Sequence, residues 1–275
     1  MKVNRFQTTD RSWRYAAVTL AVFLAGVHLI PFFVDLLLPS LHGYARSAAV
    51  KTLQTALPIA VLLLVLPRGA GGALAELGLR GPLRRALVIA FMAALPMLVV
   101  FALTGALRAE YSLLVLAVSG LFSPVAEEVL FRGYAFGQLR RRAGWSFWPA
   151  ILVPTLFFSA GHLYQADGLL AALGIFGVTA IGSVWFAWLY VRWNNLWVPI
   201  ALHSFMNVAW YVFEVDTTAL GGWVANIARL ATIGISIVLT LNHHRLRKGA
   251  QDTASAGVGA GGIPTESTVV ATTDR

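Results

Sequence analysis

Residues 86–105 read ALVIAFMAALPMLVVFALTG, 20 positions without a charge. A helix of about 20 apolar residues is what a bilayer core demands. Lipid offers the backbone no hydrogen-bonding partner, so a run of this kind must satisfy its own N–H and C=O groups as a helix. It is also too continuous for a barrel strand, which would alternate with period two. Working outward, similar runs fall near 15–38, 52–66, 112–138, 146–164, 168–191, 196–213 and 222–241. With 86–105 these predict eight transmembrane helices, and the fold class is an all-α polytopic membrane helix bundle.

Composition agrees. Of 275 residues 58% are hydrophobic and only 12% charged, about half the charge of an ordinary soluble domain. The mean hydropathy is +0.72. Too little polar surface remains for a water-facing domain, which rules out most nucleic-acid readers despite a net charge of +9. That charge has a topological reading. With eight spans, fifteen Lys and Arg residues between Lys2 and Lys248 fall on the side of both termini, against Arg46, Lys51 and Arg108 on the other. The positive-inside bias then predicts cytoplasmic N- and C-termini in a plasma (inner) membrane.

The chain has no cysteine, so thiolate metal sites, disulfides and cysteine nucleophiles are excluded. Residues 1–14 are basic and lead into a stretch too long for a removed signal, which reads as a first span. The Gly-rich basic stretch 68–85 reads as a solvated linker. We divide the chain into a transmembrane helical domain over 1–248, with a motif core at about 112–213, and a disordered cytoplasmic tail over 249–275, where Gly, Ala, Ser and Thr lack periodicity. No internal repeat of the kind common in transporters is visible.

An ionisable side chain at bilayer depth costs roughly 2.5 to 3.5 kcal/mol on insertion scales, so each one needs a partner or a task. They cluster in three of the predicted spans. The fourth contains Glu127-Glu128-Val-Leu-Phe-Arg132, the fifth Phe158-Ser-Ala-Gly-His162, and the seventh His203-Ser-Phe-Met-Asn207. Glu128 and Arg132 stand at i and i+4 and predict a supporting ion pair. Glu127, turned about 100° away, has no opposite charge within reach on its own helix and is the unassigned acid.

Midway between residues 127 and 162 lies the turn at 140–148, so antiparallel helices joined there bring Glu127 and His162 to one depth. His203 and Asn207 share one helix face and fall at a similar depth, roughly 20 Å from the basic side. His28, His42, His243 and His244, and the serines of these spans, read as packing or solvated groups. An apolar pocket favours the neutral form of a carboxylate, which suits it to take a proton from water and pass it to a leaving amine. A histidine opposite can share the water, and a second histidine with an Asn amide can donate to a tetrahedral oxyanion. Together they make a peptide-hydrolysis site. Two histidines and a carboxylate also suit Zn²⁺ with an open position, at Glu127, His162 and His203.

In order along the chain, the three motifs E-E-x-x-x-R, F-x-x-x-H and H-x-x-x-N resemble those of the CPBP (Abi, CAAX protease and bacteriocin-processing) family of intramembrane endopeptidases, related to the Ras-converting CAAX proteases. The resemblance covers about 119–210. It implies that Glu127 activates water together with His162, that His203 and Asn207 form the oxyanion hole, and that Glu128 and Arg132 support them. It implies a glutamate-dependent reaction with no cofactor required, Zn²⁺ being the alternative. The partners expected are the bilayer and a membrane-associated or lipidated protein or peptide substrate. Two competing readings are a membrane scaffold or immunity protein locked by the same cluster, and a proton-coupled transporter.

Overall fold

The computed structural model describes residues 5–65, 69–108 and 112–259. The chain is an all-helical bundle: α1 (Ser12–Leu37), α2 (Gly43–Val65), the short α3 (Gly69–Glu76), α4 (Leu83–Thr104), α5 (Leu113–Arg141), α6 (Phe147–Ala160), α7 (Leu169–Trp193), α8 (Trp197–Val212) and α9 (Trp223–Gly259). Among the described residues, seven helical stretches are long and apolar enough to cross a bilayer. The remaining expected span, the seventh in chain order, is α8, which has 16 residues, about 24 Å. It nevertheless joins the two ends of the bundle. Before α8, Leu196 N–H donates to Gly78 O; beyond it, Arg108 N–H donates to Val212 O. Beside that second bond the two-residue strands β1 (Ala106–Leu107) and β2 (Phe213–Glu214) pair antiparallel.

A helix this short serves because protein surrounds it. Val198 through His203 are buried without interruption. One wall is α4, whose Ala86, Ala90, Ala93 and Ala94 are fully buried in the same cluster as Val198, Ala201 and Leu202. Small side chains every three or four residues let helix backbones approach closely where no hydrophobic effect drives them together. The opposite end of α4 packs Met97 and Phe101 on Ala225 and Ala228 of α9. A Thr155–Ser183 hydroxyl bond of 2.8 Å ties α6 to α7, a tie made across helices where lipid would leave both groups unpaired.

Two expectations change. The second span begins at Gly43 rather than near residue 52, because the charges that interrupt its apolar run are neutralised: Arg46 forms a two-pronged bond to Asp35, at 2.5 and 2.7 Å, and Lys51 turns inward. The stretch read as a solvated linker folds as α3 and docks. Ala73 and Leu77 are fully buried, and the Glu76 carboxylate receives Arg141 and Arg142. Gly78, at φ +77°, lies where a Cβ would stand 2.5 Å from the Tyr190 ring. Of the expected tail, residues 249–259 continue α9 as helix, and 260–275 lie outside the described residues.

Candidate active site

The site is assembled on α5, whose hydrogen bonding widens to π-type turns over Leu116–Phe122 and Glu128–Phe136, on either side of Ser123–Glu127. Such turns are rare and recur at functional positions, because they re-aim side chains. Glu128 and Arg132 are both fully buried, and the Arg132 guanidinium donates to Glu128 Oε1 at 3.0 Å. Its carbon lies 4.2 Å from the centre of the Phe158 ring on α6 and 5.6 Å from that of Phe186 on α7. Two aromatic faces therefore solvate a cation that has left water.

His203, on α8, stands between the two neighbouring carboxylates of α5. Its Nδ1 is 3.0 Å from Glu128 Oε1, and its Nε2 is 3.9 Å from Glu127 Oε2. The ring stacks on Phe186 at 5.2 Å, so packing and a charge-assisted bond together fix its orientation. Glu128 thus has a second task beyond pairing with Arg132: it holds an imidazole with the other nitrogen facing Glu127.

Glu127 differs from its sequence reading. It is paired, with Lys51 Nζ of α2 2.7 Å from its Oε1. The expected isolation rested on residues three and four positions away, whereas this partner is 76 positions distant in the chain. Lys51 also fell just outside the predicted second span. Had that span started at Gly43, a lone lysine inside it would have called for an intramembrane acid.

His162 lies two residues past the end of α6 and shares an Nδ1 hydrogen bond of 2.7 Å with Phe158 O. Its ring centre is 4.5 Å from that of Phe158, and it is within electrostatic reach of Glu127. Asn207 sits one turn beyond His203 and donates through Nδ2 to Ser119 O at 3.3 Å. The structure therefore brings Glu127, Glu128, Arg132 and His203 into one connected chain of polar contacts, with His162 at its edge and Asn207 one turn away. Among the described residues no three His, Asp or Glu side chains form a group able to hold one metal ion.

All six of these sequence-predicted residues fall in one matched segment. Residues 108–209 match the Rce1-like family, described as type II CAAX prenyl endopeptidase Rce1-like. The chain is also similar to curated proteins. One, from Bacillus subtilis and named "Putative membrane peptidase YdiL", is 32% identical over 103 residues, 38% of each chain. Another, from Escherichia coli and named "Uncharacterized 24.3 kDa protein", is 35% identical over 83 residues, 30% of this chain and 36% of the relative. The similarity thus spans less than two fifths of either relative's length. No solved structure matches the chain with significance. Lys51 lies outside the matched residues 108–209.

Proposed function

We propose that the protein is an intramembrane endopeptidase that hydrolyses a peptide bond of a membrane-associated or lipidated protein or peptide. The observation that carries this reading is that His162, His203 and Asn207 are each anchored through one hydrogen bond and each has a second nitrogen or a second N–H to offer. His203 is anchored through Nδ1 on Glu128, Asn207 through one Nδ2 hydrogen on Ser119 O, and His162 through Nδ1 on Phe158 O. An amide NH₂ carries two donors, and an imidazole has two separate nitrogens whose roles the anchoring bond sets. Anchored groups need no reorganisation when charge develops, which is where catalytic stabilisation comes from.

In this scheme a water enters beside Glu127 Oε2. With Nδ1–H bonded to Phe158 O, the lone pair of His162 lies on Nε2 and helps polarise that water. Glu127 takes the proton as the water oxygen bonds to the scissile carbonyl carbon. The resulting oxyanion accepts from the second Asn207 N–H and from Nε2–H of His203, which acts here as the imidazolium because its Nδ1–H already donates to Glu128. Collapse breaks the C–N bond, and Glu127 returns the proton to the leaving amine. No metal takes part.

The test is cleavage of membrane-anchored peptides by the purified protein in liposomes, read by mass spectrometry with and without a chelator. The proposal expects cleavage in both conditions. Loss on chelation with recovery on added Zn²⁺ overturns the metal-free scheme. A solute flux driven by a pH gradient, with no peptide product, overturns the endopeptidase reading.

A further inference from the structure

Lys51 belongs to no sequence motif named above and lies outside residues 108–209, yet it makes the shortest polar contact to Glu127. Its ammonium reaches Oε1 at 2.7 Å, and the two side chains are only 21% and 14% exposed. The lysine is held from its own helix: Thr55 Oγ1 donates to Lys51 O at 2.8 Å, and three residues along, buried Gln54 Nε2 donates to Gly26 O of α1 at 3.0 Å. The second carboxylate oxygen, Oε2, is the one facing His203 Nε2.

We propose that Lys51 is a positioning residue for Glu127. The terminal torsion of a glutamate is broad and roughly two-fold, so a free carboxylate presents either oxygen to substrate. An ammonium fixed on Oε1 removes that choice and leaves Oε2 as the oxygen that meets water beside His203. It also balances the site: Lys51 with Glu127 and Arg132 with Glu128 form two pairs on either side of one imidazole, so neither carboxylate stands uncompensated in a dry setting. Lys51 does not touch the scissile bond, and its effect passes through Glu127. This inference rests on the endopeptidase reading.

The experiment measures kcat and KM on a membrane-anchored fluorogenic peptide in liposomes for wild type, E127Q, K51M and K51R, with thermal unfolding of each in detergent. The expected result is that E127Q loses turnover, that K51M loses kcat about 10- to 100-fold with KM changed by no more than about twofold, as misplacement of a reacting group predicts, and that K51R recovers most of kcat. Should K51M fail to fold, K51Q takes its place, since it keeps a donor and removes the charge. Wild-type kcat in folded K51M, alongside an inactive E127Q, overturns the role of Lys51 and leaves the endopeptidase reading standing. So does a fall in thermal stability with unchanged activity per folded molecule, or a rise in KM alone. Retained turnover in E127Q overturns the endopeptidase reading itself, whatever K51M does.

Discussion

The most constrained side chain of the site is Arg132, fully buried with Glu128 as its ion-pair partner and two phenylalanine faces around it. Removing one member of a buried pair leaves the other charge uncompensated and costs about 3 to 5 kcal/mol. R132M is therefore expected to lower the thermal midpoint in detergent sharply; a midpoint equal to that of wild type would show that the pair carries little of the fold. E128Q separates two roles that one carboxylate holds. It keeps the volume and a hydrogen bond to His203 but removes the charge, so activity per folded molecule is expected to fall along with stability. Retained activity in folded E128Q would contradict the need for a charged anchor on His203. The pairing of Glu128 with Arg132 was legible in the sequence because it is local, four residues apart on one helix. The Lys51–Glu127 contact was not, since nothing in the spacing of residues 76 positions apart specifies it.

At the scale of elements, α8 carries His203 and Asn207 and owes its place to the alanine face of α4. A larger side chain on that face should push the two helices apart. A90L is expected to destabilise by about 1 to 3 kcal/mol and to lower turnover by displacing His203, whereas L87A, at a lipid-facing position 43% exposed, should change stability by no more than about 0.5 kcal/mol. Equal midpoints for the two variants would refute the close packing of α4 on α8. The apolar runs of the long helices were legible because lipid imposes one requirement on every spanning segment. The folded α3 was not. Its glycines signal flexibility, and what holds it lies elsewhere in the chain: Arg141 and Arg142 on Glu76, and the Leu196 N–H on Gly78 O. The start of α2 was missed for a related reason, since Arg46 and Lys51 look like loop charges until Asp35 and Glu127 are placed beside them.

For the whole molecule, the bundle sorts its connections into two ends. Ser12 Oγ bonds to Ala143 O, Leu196 N–H to Gly78 O, and the Arg85 guanidinium meets His243 Nδ1. These place the start of α1, the turns around 78 and 143, the turn before α8 and the lower part of α9 together, and β1 with β2 mark the other end. We propose that the first end faces the cytoplasm, as the distribution of Lys and Arg predicts. Because the chain has no cysteine, single-cysteine labelling is unambiguous: in intact cells a membrane-impermeant maleimide should label T217C and spare R80C until the membrane is opened, and the reverse pattern would invert the topology. The central claim is narrower and concerns one carboxylate. It is tested most directly by the rate at which folded E127Q cleaves a membrane-anchored peptide in liposomes beside the wild type. A fall of about 10²- to 10⁴-fold is the predicted result, and cleavage within a few fold of the wild-type rate would contradict it.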